Sequence, residues 1–247
     1  MSHPPDFVDE IWRVELPSDS LGAHAILPDT RCGIALVVFS NGVVSQILPS
    51  LPHVRVRFAP IIPGAKVAGV YFKPGRAPLT CFSDEDEAAT ATFWSDVAQA
   101  LAAYAQDTSR REGVSTALSQ LAERLPPPDQ VILSALQHDG EGGPDRIYQL
   151  AAELGLSERQ FRRRFIAATG LSPRAFVVTS RLHLSLVALS RSPEPQLAST
   201  ACDAGYADQS HWGRSVQKAF DRSLLRAHRE LRAHRARFQG RHLSEKF

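Results

Sequence analysis

At 247 residues the chain has room for two domains, and a composition 43% hydrophobic and 22% charged is that of a globular protein. No apolar run approaches the roughly 20 residues that span a bilayer, and the opening MSHPPDFVDEIWRVELP is acidic and proline-bearing, unlike a signal peptide. A cytoplasmic protein with no membrane association is therefore expected. The net charge of +2 conceals a division: residues 1–129 carry 10 Lys+Arg against 15 Asp+Glu (−5), and residues 130–247 carry 18 against 11 (+7), which suits the second part to a polyanion.

The first third holds short β-prone runs, CGIALVVFS, VRVRFAP and VAGVYFKPG, separated by turn signals at Asn41-Gly42, Pro63-Gly64 and Pro74-Gly75. They predict a small antiparallel sheet or barrel. From about Glu85 the period changes to helical, with Phe93, Val97, Leu101 and Tyr104 on one face and Val114, Leu118, Leu121 and Leu125 on another. Pro126-Pro127-Pro128 stops the helix and stiffens the connection, so the predicted domains are 1–125 and 129–240, with a linker at 126–128 and a tail at 241–247. The expected fold is thus α+β, sheet or barrel plus helices, followed by an all-α domain.

Within the second domain two stretches spell one element twice: LAAELGLSERQFRRRF at 150–165 and TACDAGYADQSHWGRSV at 200–216. Ala151 pairs with Ala201 and Gly155 with Gly205 at an offset of 50. After one inserted residue, Phe161 pairs with Trp212, Arg163 with Arg214 and Phe165 with Val216 at an offset of 51. In each copy an alanine lets two helices approach, a glycine past the first helix turns the chain, and apolar residues four apart bury one face of the second helix. That is a helix-turn-helix, whose second helix can enter a major groove. Between the copies Pro173 opens a helix through about Leu189, a rigid connector that sets the distance between the two recognition helices. The chain ends in a basic helix, RAHRELRAHRARF.

The residues GLSERQFRRRF...TGLSPRAF and GYADQSHWGRSVQKAF resemble the DNA-binding domain of AraC/XylS-type bacterial transcription regulators over about 147–220. The resemblance implies seven helices in two helix-turn-helix units that place recognition helices in successive major grooves. The first half resembles, more loosely, the sensor-like domain of a subgroup of these regulators, through ILPDTRC at 26–32 and AGVYFKPG at 68–75. That subgroup usually has glycine where Thr30 stands. The family's second unit ends with glycine and, three residues on, proline; here Asp221 and Leu224 take those places, whereas the first unit keeps Gly170 and Pro173. Either the chain breaks after Phe220, with Asp221 at or near a left-handed conformation and Ser223 capping the next helix, or the recognition helix runs straight into the basic tail; the break is expected, because Leu224 and Leu225 then open a helix that covers the second unit's core. Gly213 stands where a small polar side chain is usual.

The expected DNA-binding residues are Ser157, Arg159, Arg162, Arg163, Gln209, Ser210, His211, Arg214 and Lys218. Ser157 is also an N-cap candidate. With Phe161 and Phe165 inward, Glu158, Arg159, Arg162 and Ile166 face outward with Arg163 beside them, and the resemblance assigns Arg159, Arg162 and Arg163 to the groove. Three consecutive arginines turn through about 200°, so Arg164 is left for a phosphate or solvent. Arginine can pair with guanine O6 and N7, and Gln209 with adenine. Lys218 and Arg222 are candidates for backbone contact, and His211 divides between a groove contact and a surface residue. The alternative for the first helix is an ordinary solvated basic face, and the basic tail from Arg226 divides between nonspecific phosphate attraction and a solvated helix face.

Catalytic readings are weaker. Cys32 follows an arginine in a loop, which invites comparison with Ada-type repair proteins, but their zinc site needs four cysteines, and Cys32, Cys81 and Cys202 are scattered. Three reduced, partly buried thiols are expected instead. The acidic run at 83–87 reads as a helix start. No catalytic residue, metal site or cofactor is predicted. The expected partners are double-stranded DNA and RNA polymerase, with a small-molecule effector and a homodimer left open. The competing reading is a small-molecule-binding or enzymatic module with a degraded DNA-binding domain.

Overall fold

The computed structural model describes residues 4–19, 21–82, 91–137, 149, 151–237 and 242–246. The first-third runs become strands: β1 (Val8–Glu15), β2 (Ala23–Ile26), β3 (Cys32–Val38), β4 (Leu48–Ser50), β5 (Arg57–Pro60) and β6 (Lys66–Phe72). All pair antiparallel, in a main sheet of order β4-β3-β6-β1-β7, where β7 is the late strand His242–Lys246, and a separate β2-β5 ribbon. The main sheet has two edges, so of the two predicted forms the open sheet, not the barrel, is realised. The turn glycines Gly42, Gly64 and Gly75 all take positive φ.

β3 is apolar without alternation because both its faces are covered. Ile34, Leu36 and Val38 pack with α1 (Ser95–Gln106) and α2 (Arg111–Ala122), whose Val97, Leu101, Leu118 and Leu121 are fully buried. Val37 joins Leu16, Ile61 and Ala65 in a smaller cluster. Cys32 lies in the larger core, where burial pushes its thiol up to about 12. Cys81 is half-buried, but Cys202 is exposed, against the expectation that all three are partly buried. The acidic run at 83–87 lies outside the described residues.

The second half contains α3 (Gln130–Gln137), a helical segment at 151–153, α4 (Glu158–Thr169), α5 (Pro173–Arg191), α6 (Leu197–Asp203), α7 (Gln209–Phe220) and α8 (Leu224–Arg237). α3 begins at the proline stop, with the Asp129 carboxylate accepting from Val131 N and Ile132 N. α5 starts with Ser172 as N-cap and Pro173 in the first turn. The chain then returns: β7 (His242–Lys246), within the expected tail, pairs with β1 from Val14↔His242 to Glu10↔Lys246. The two ends of the chain are thus joined in one sheet.

Candidate nucleic-acid interface

The sequence repeat is a repeat of hydrogen bonds. Gly155 N donates to Ala152 O and Leu156 N to Ala151 O; fifty residues on, Gly205 N donates to Cys202 O and Tyr206 N to Ala201 O. Both are helix ends closed through a left-handed glycine, at φ 68 and 76. The second helices end alike too, with Gly170 N donating to Ile166 O and Asp221 N to Gln217 O. Asp221 holds φ 53 and ψ 39 without being glycine, Ser223 Oγ accepts from Arg226 N, and α8 starts at Leu224. The break expected after Phe220 is present.

Each unit has its own core. Ala151, Phe161 and Phe165 pack with Phe176 and Val177 of α5, and Ala201, Trp212 and Val216 with Leu182, Leu186 and Leu224. Trp212 Nε1 donates to Ser185 Oγ at 2.9 Å, which ties α7 to the middle of α5.

With these faces inward, the opposite faces are open. Ser157 caps α4 in a capping box with Gln160, and Glu158, Arg159, Arg162, Arg163 and Ile166 line one shallow depression on the helix surface. Arg164 is not among them. Its guanidinium grips Asp129 with two bonds, 2.7 and 2.6 Å, so it joins α4 to the cap of α3 while the side chain stays partly exposed to solvent. That bond holds the Asp129 carboxyl below the usual carboxylate range. On α7, Asp208 caps the helix through His211 N, and Gln209, Ser210, His211, Arg214 and Lys218 are exposed, the His211 ring edge-on to Tyr206. Arg222, the other backbone candidate, instead binds both oxygens of Glu230, which also takes Arg226. In contrast, Arg159, Arg162, Arg163, Arg214 and Lys218 make no ion pair among the described residues.

The N-terminal half bears on the second unit and on the connecting helix α5. Val56 N donates to Ala219 O of α7 at 2.9 Å, the Phe58 ring meets Phe220 with centroids 6.0 Å apart, and Ala25, Leu27 and Val56 pack on the second unit's core. His183 Nδ1 of α5 donates to Pro28 O at 2.7 Å, and His24 Nδ1 lies 2.6 Å from His234 Nε2 of α8. Beside these contacts the two sensor-like motifs meet: the Arg31 guanidinium stacks 4.1 Å over the Tyr71 ring and binds Asp9, Glu10 and Asp29. Sequence reasoning missed the roles of Asp9, Glu10 and Val56, which no local spacing signals.

Residues 150–229 match the family model described as a helix-turn-helix domain. No curated protein matches the chain significantly. Among solved structures the chain is similar to ToxT from Vibrio cholerae: a form with unsaturated fatty acid bound shares 11% identity over 92% of this chain and 97% of that one, with a TM-score of 0.41. A form bound to (E)-4-(8-methylnaphthalen-1-yl)but-3-enoic acid shares 11% identity over 92% and 100%, with a TM-score of 0.46. Two helix-turn-helix units with matching closures, joined by one helix, lie within the stretch that the family model covers, so residues 150–229 are a helix-turn-helix domain.

Proposed function

We propose that the chain reads duplex DNA at two places, through Ser157, Arg159, Arg162 and Arg163 of the first unit and through Gln209, Ser210, His211, Arg214 and Lys218 of the second. One observation supports this above others: the cations of both faces are exposed and without an ion pair among the described residues, although Arg164, next to Arg163, and Arg222, four residues past Lys218, are paired. An unpaired guanidinium can make two bonds to a guanine edge, and Lys218 suits a phosphate. The domain contacts at Val56 and His183 give the N-terminal domain a hold on α5 and α7. Changes there would alter DNA affinity by favouring one arrangement of the units.

A small-molecule effector would act from the cavity between the domains, bounded by Trp12, Arg31 and Tyr71 on one side and His183, Leu231 and His234 on the other. The chain acts as a regulator and not an enzyme, in the cytoplasm, with RNA polymerase and a second copy of itself as further partners. Selection on randomised duplex DNA with the full chain tests the core of this reading. It should enrich two short motifs about one helical turn apart. Failure to enrich any sequence would leave the competing reading, a ligand-binding module with a degraded DNA domain.

A further inference from the structure

The segment between β4 and β5 crosses from one helix-turn-helix unit to the other. At its start Pro52 lies against Gly170, where an added Cβ would stand 3.5 Å from the proline ring; at its end Val56 is bonded to Ala219 of α7. Arg55, between them, is exposed and shares one hollow with Arg174 at the start of α5 and with His211 and Lys218 of α7. Lys218 is about 40° from Arg214 around its helix, so the hollow adjoins the proposed reading face.

The electrostatics of this strap are unusual for its domain. Residues 48–60, LPSLPHVRVRFAP, contain two arginines and no carboxylate, in a half of the chain where acids outnumber bases. No carboxylate lines the hollow either, and Arg55, Arg174 and Lys218 make no ion pair among the described residues. A strap that blocked DNA by imitating it would present carboxylates to these cations. This one adds another positive charge, which repels its neighbours until a polyanion arrives.

We infer that the N-terminal domain itself contacts DNA: Arg55, with Arg174 and Lys218, forms a phosphate-binding basin between the two recognition helices. The inference rests on the reading of α4 and α7 as DNA-binding. In an extended backbone contact of this kind each phosphate neutralised releases counterions and steepens the salt dependence of binding.

The test is a salt titration of the full chain and its variants on a fluorescent duplex enriched by selection with the wild-type chain. Arg55→Ala should make the log-log slope shallower by about 0.9, as for one phosphate, without altering the selected sequence. Arg55→Lys should restore the slope, and Arg55→Ala should leave the denaturation midpoint in place because the side chain is exposed. An unchanged slope and affinity in Arg55→Ala, with the wild type binding normally, would overturn the basin and leave the DNA-binding reading intact. Tighter binding by Arg55→Ala would overturn it in favour of a blocking strap. No binding by the wild type would remove both.

Discussion

Arg31 in the N-terminal domain and the arginines of α4 and α7 are the same side chain in opposite circumstances. Arg31 is 13% exposed and is bound by three carboxylates, so its charge is used within the fold. Arg159, Arg162, Arg163 and Arg214 are exposed and make no ion pair among the described residues. The difference lies in their neighbours: α4 contains one carboxylate, Glu158, in its first turn, and α7 contains none. An arginine with acids in reach holds a protein together, and one without them is available to an external polyanion. The Arg164–Asp129 and Arg222–Glu230 pairs mark where the change occurs within the second domain.

Removing Arg31 should give the largest effect. Arg31→Met leaves Asp9, Glu10 and Asp29 facing one another in a largely buried site, and loss of one partner of such a cluster costs about 3–5 kcal/mol. The pH dependence should change sign as well. In the wild type burial pushes the Asp29 carboxyl up, but the Arg31 bonds and charge outweigh it and hold the group below the usual range. Its contribution is therefore complete above the unfolded carboxylate value of about 3.9 and lost only as pH falls through the lower folded value. Without Arg31 burial prevails, the folded carboxyls take up protons more readily, and the variant should regain stability as pH falls from neutrality toward 5. Urea midpoints across that range check both statements, and parallel pH curves for the two proteins would contradict the second.

The reading faces should show the reverse pattern. Arg162→Ala and Arg214→Ala should each weaken a selected site by about 1–3 kcal/mol and relax preference at positions about one helical turn apart, with little change in urea midpoint. Sequence preferences that stayed the same in both variants would place the recognition faces elsewhere. Arg164→Ala, one residue from Arg163, should instead lower stability by about 0.2–1 kcal/mol, a small amount because the pair is partly exposed, and leave the selected sequence unchanged.

Much of this was legible in the sequence wherever the cause is local. The offset of 50 or 51 residues carries over into the hydrogen bonds, since a glycine closure and an apolar spacing of four act within a few residues. The outward faces of α4 and α7 followed from Phe161, Phe165, Trp212 and Val216 being buried. What was not legible depends on distant partners. The Arg164 bond joins residues 35 apart, the Val56 contact spans 163, and β7 finds β1 across nearly the whole chain. Open sheet against barrel was undecided for the same reason, because alternation gives the face of a strand but not its neighbour. Arg164 also shows the limit of helical geometry, which separated it from the groove without showing that Asp129 was waiting.

The smallest expected effect concerns Asp221, the last carboxylate beside a reading helix. Its backbone is left-handed, and its side chain accepts from Gln217 Nε2 while its carbonyl accepts from Arg222. A left-handed conformation costs an L-residue about 1–2 kcal/mol, though aspartate tolerates it better than most. Asp221→Gly removes that strain but adds about 0.4–1 kcal/mol of chain entropy to the unfolded state. The stability should therefore stay in place or rise by up to about 1.6 kcal/mol, the balance of those two amounts, with the urea midpoint unchanged or higher. The glycine would reproduce the closure of the first unit at Gly170, and α8 would keep its start at Ser223 and Leu224. DNA affinity should hold or improve slightly, since a negative charge is lost three residues from Lys218. A clear fall in the midpoint would mean that position 221 lies in a continuous helix, and a fall in affinity would mean that the Asp221 bonds, and not Phe220 and Trp212, orient the reading face of α7.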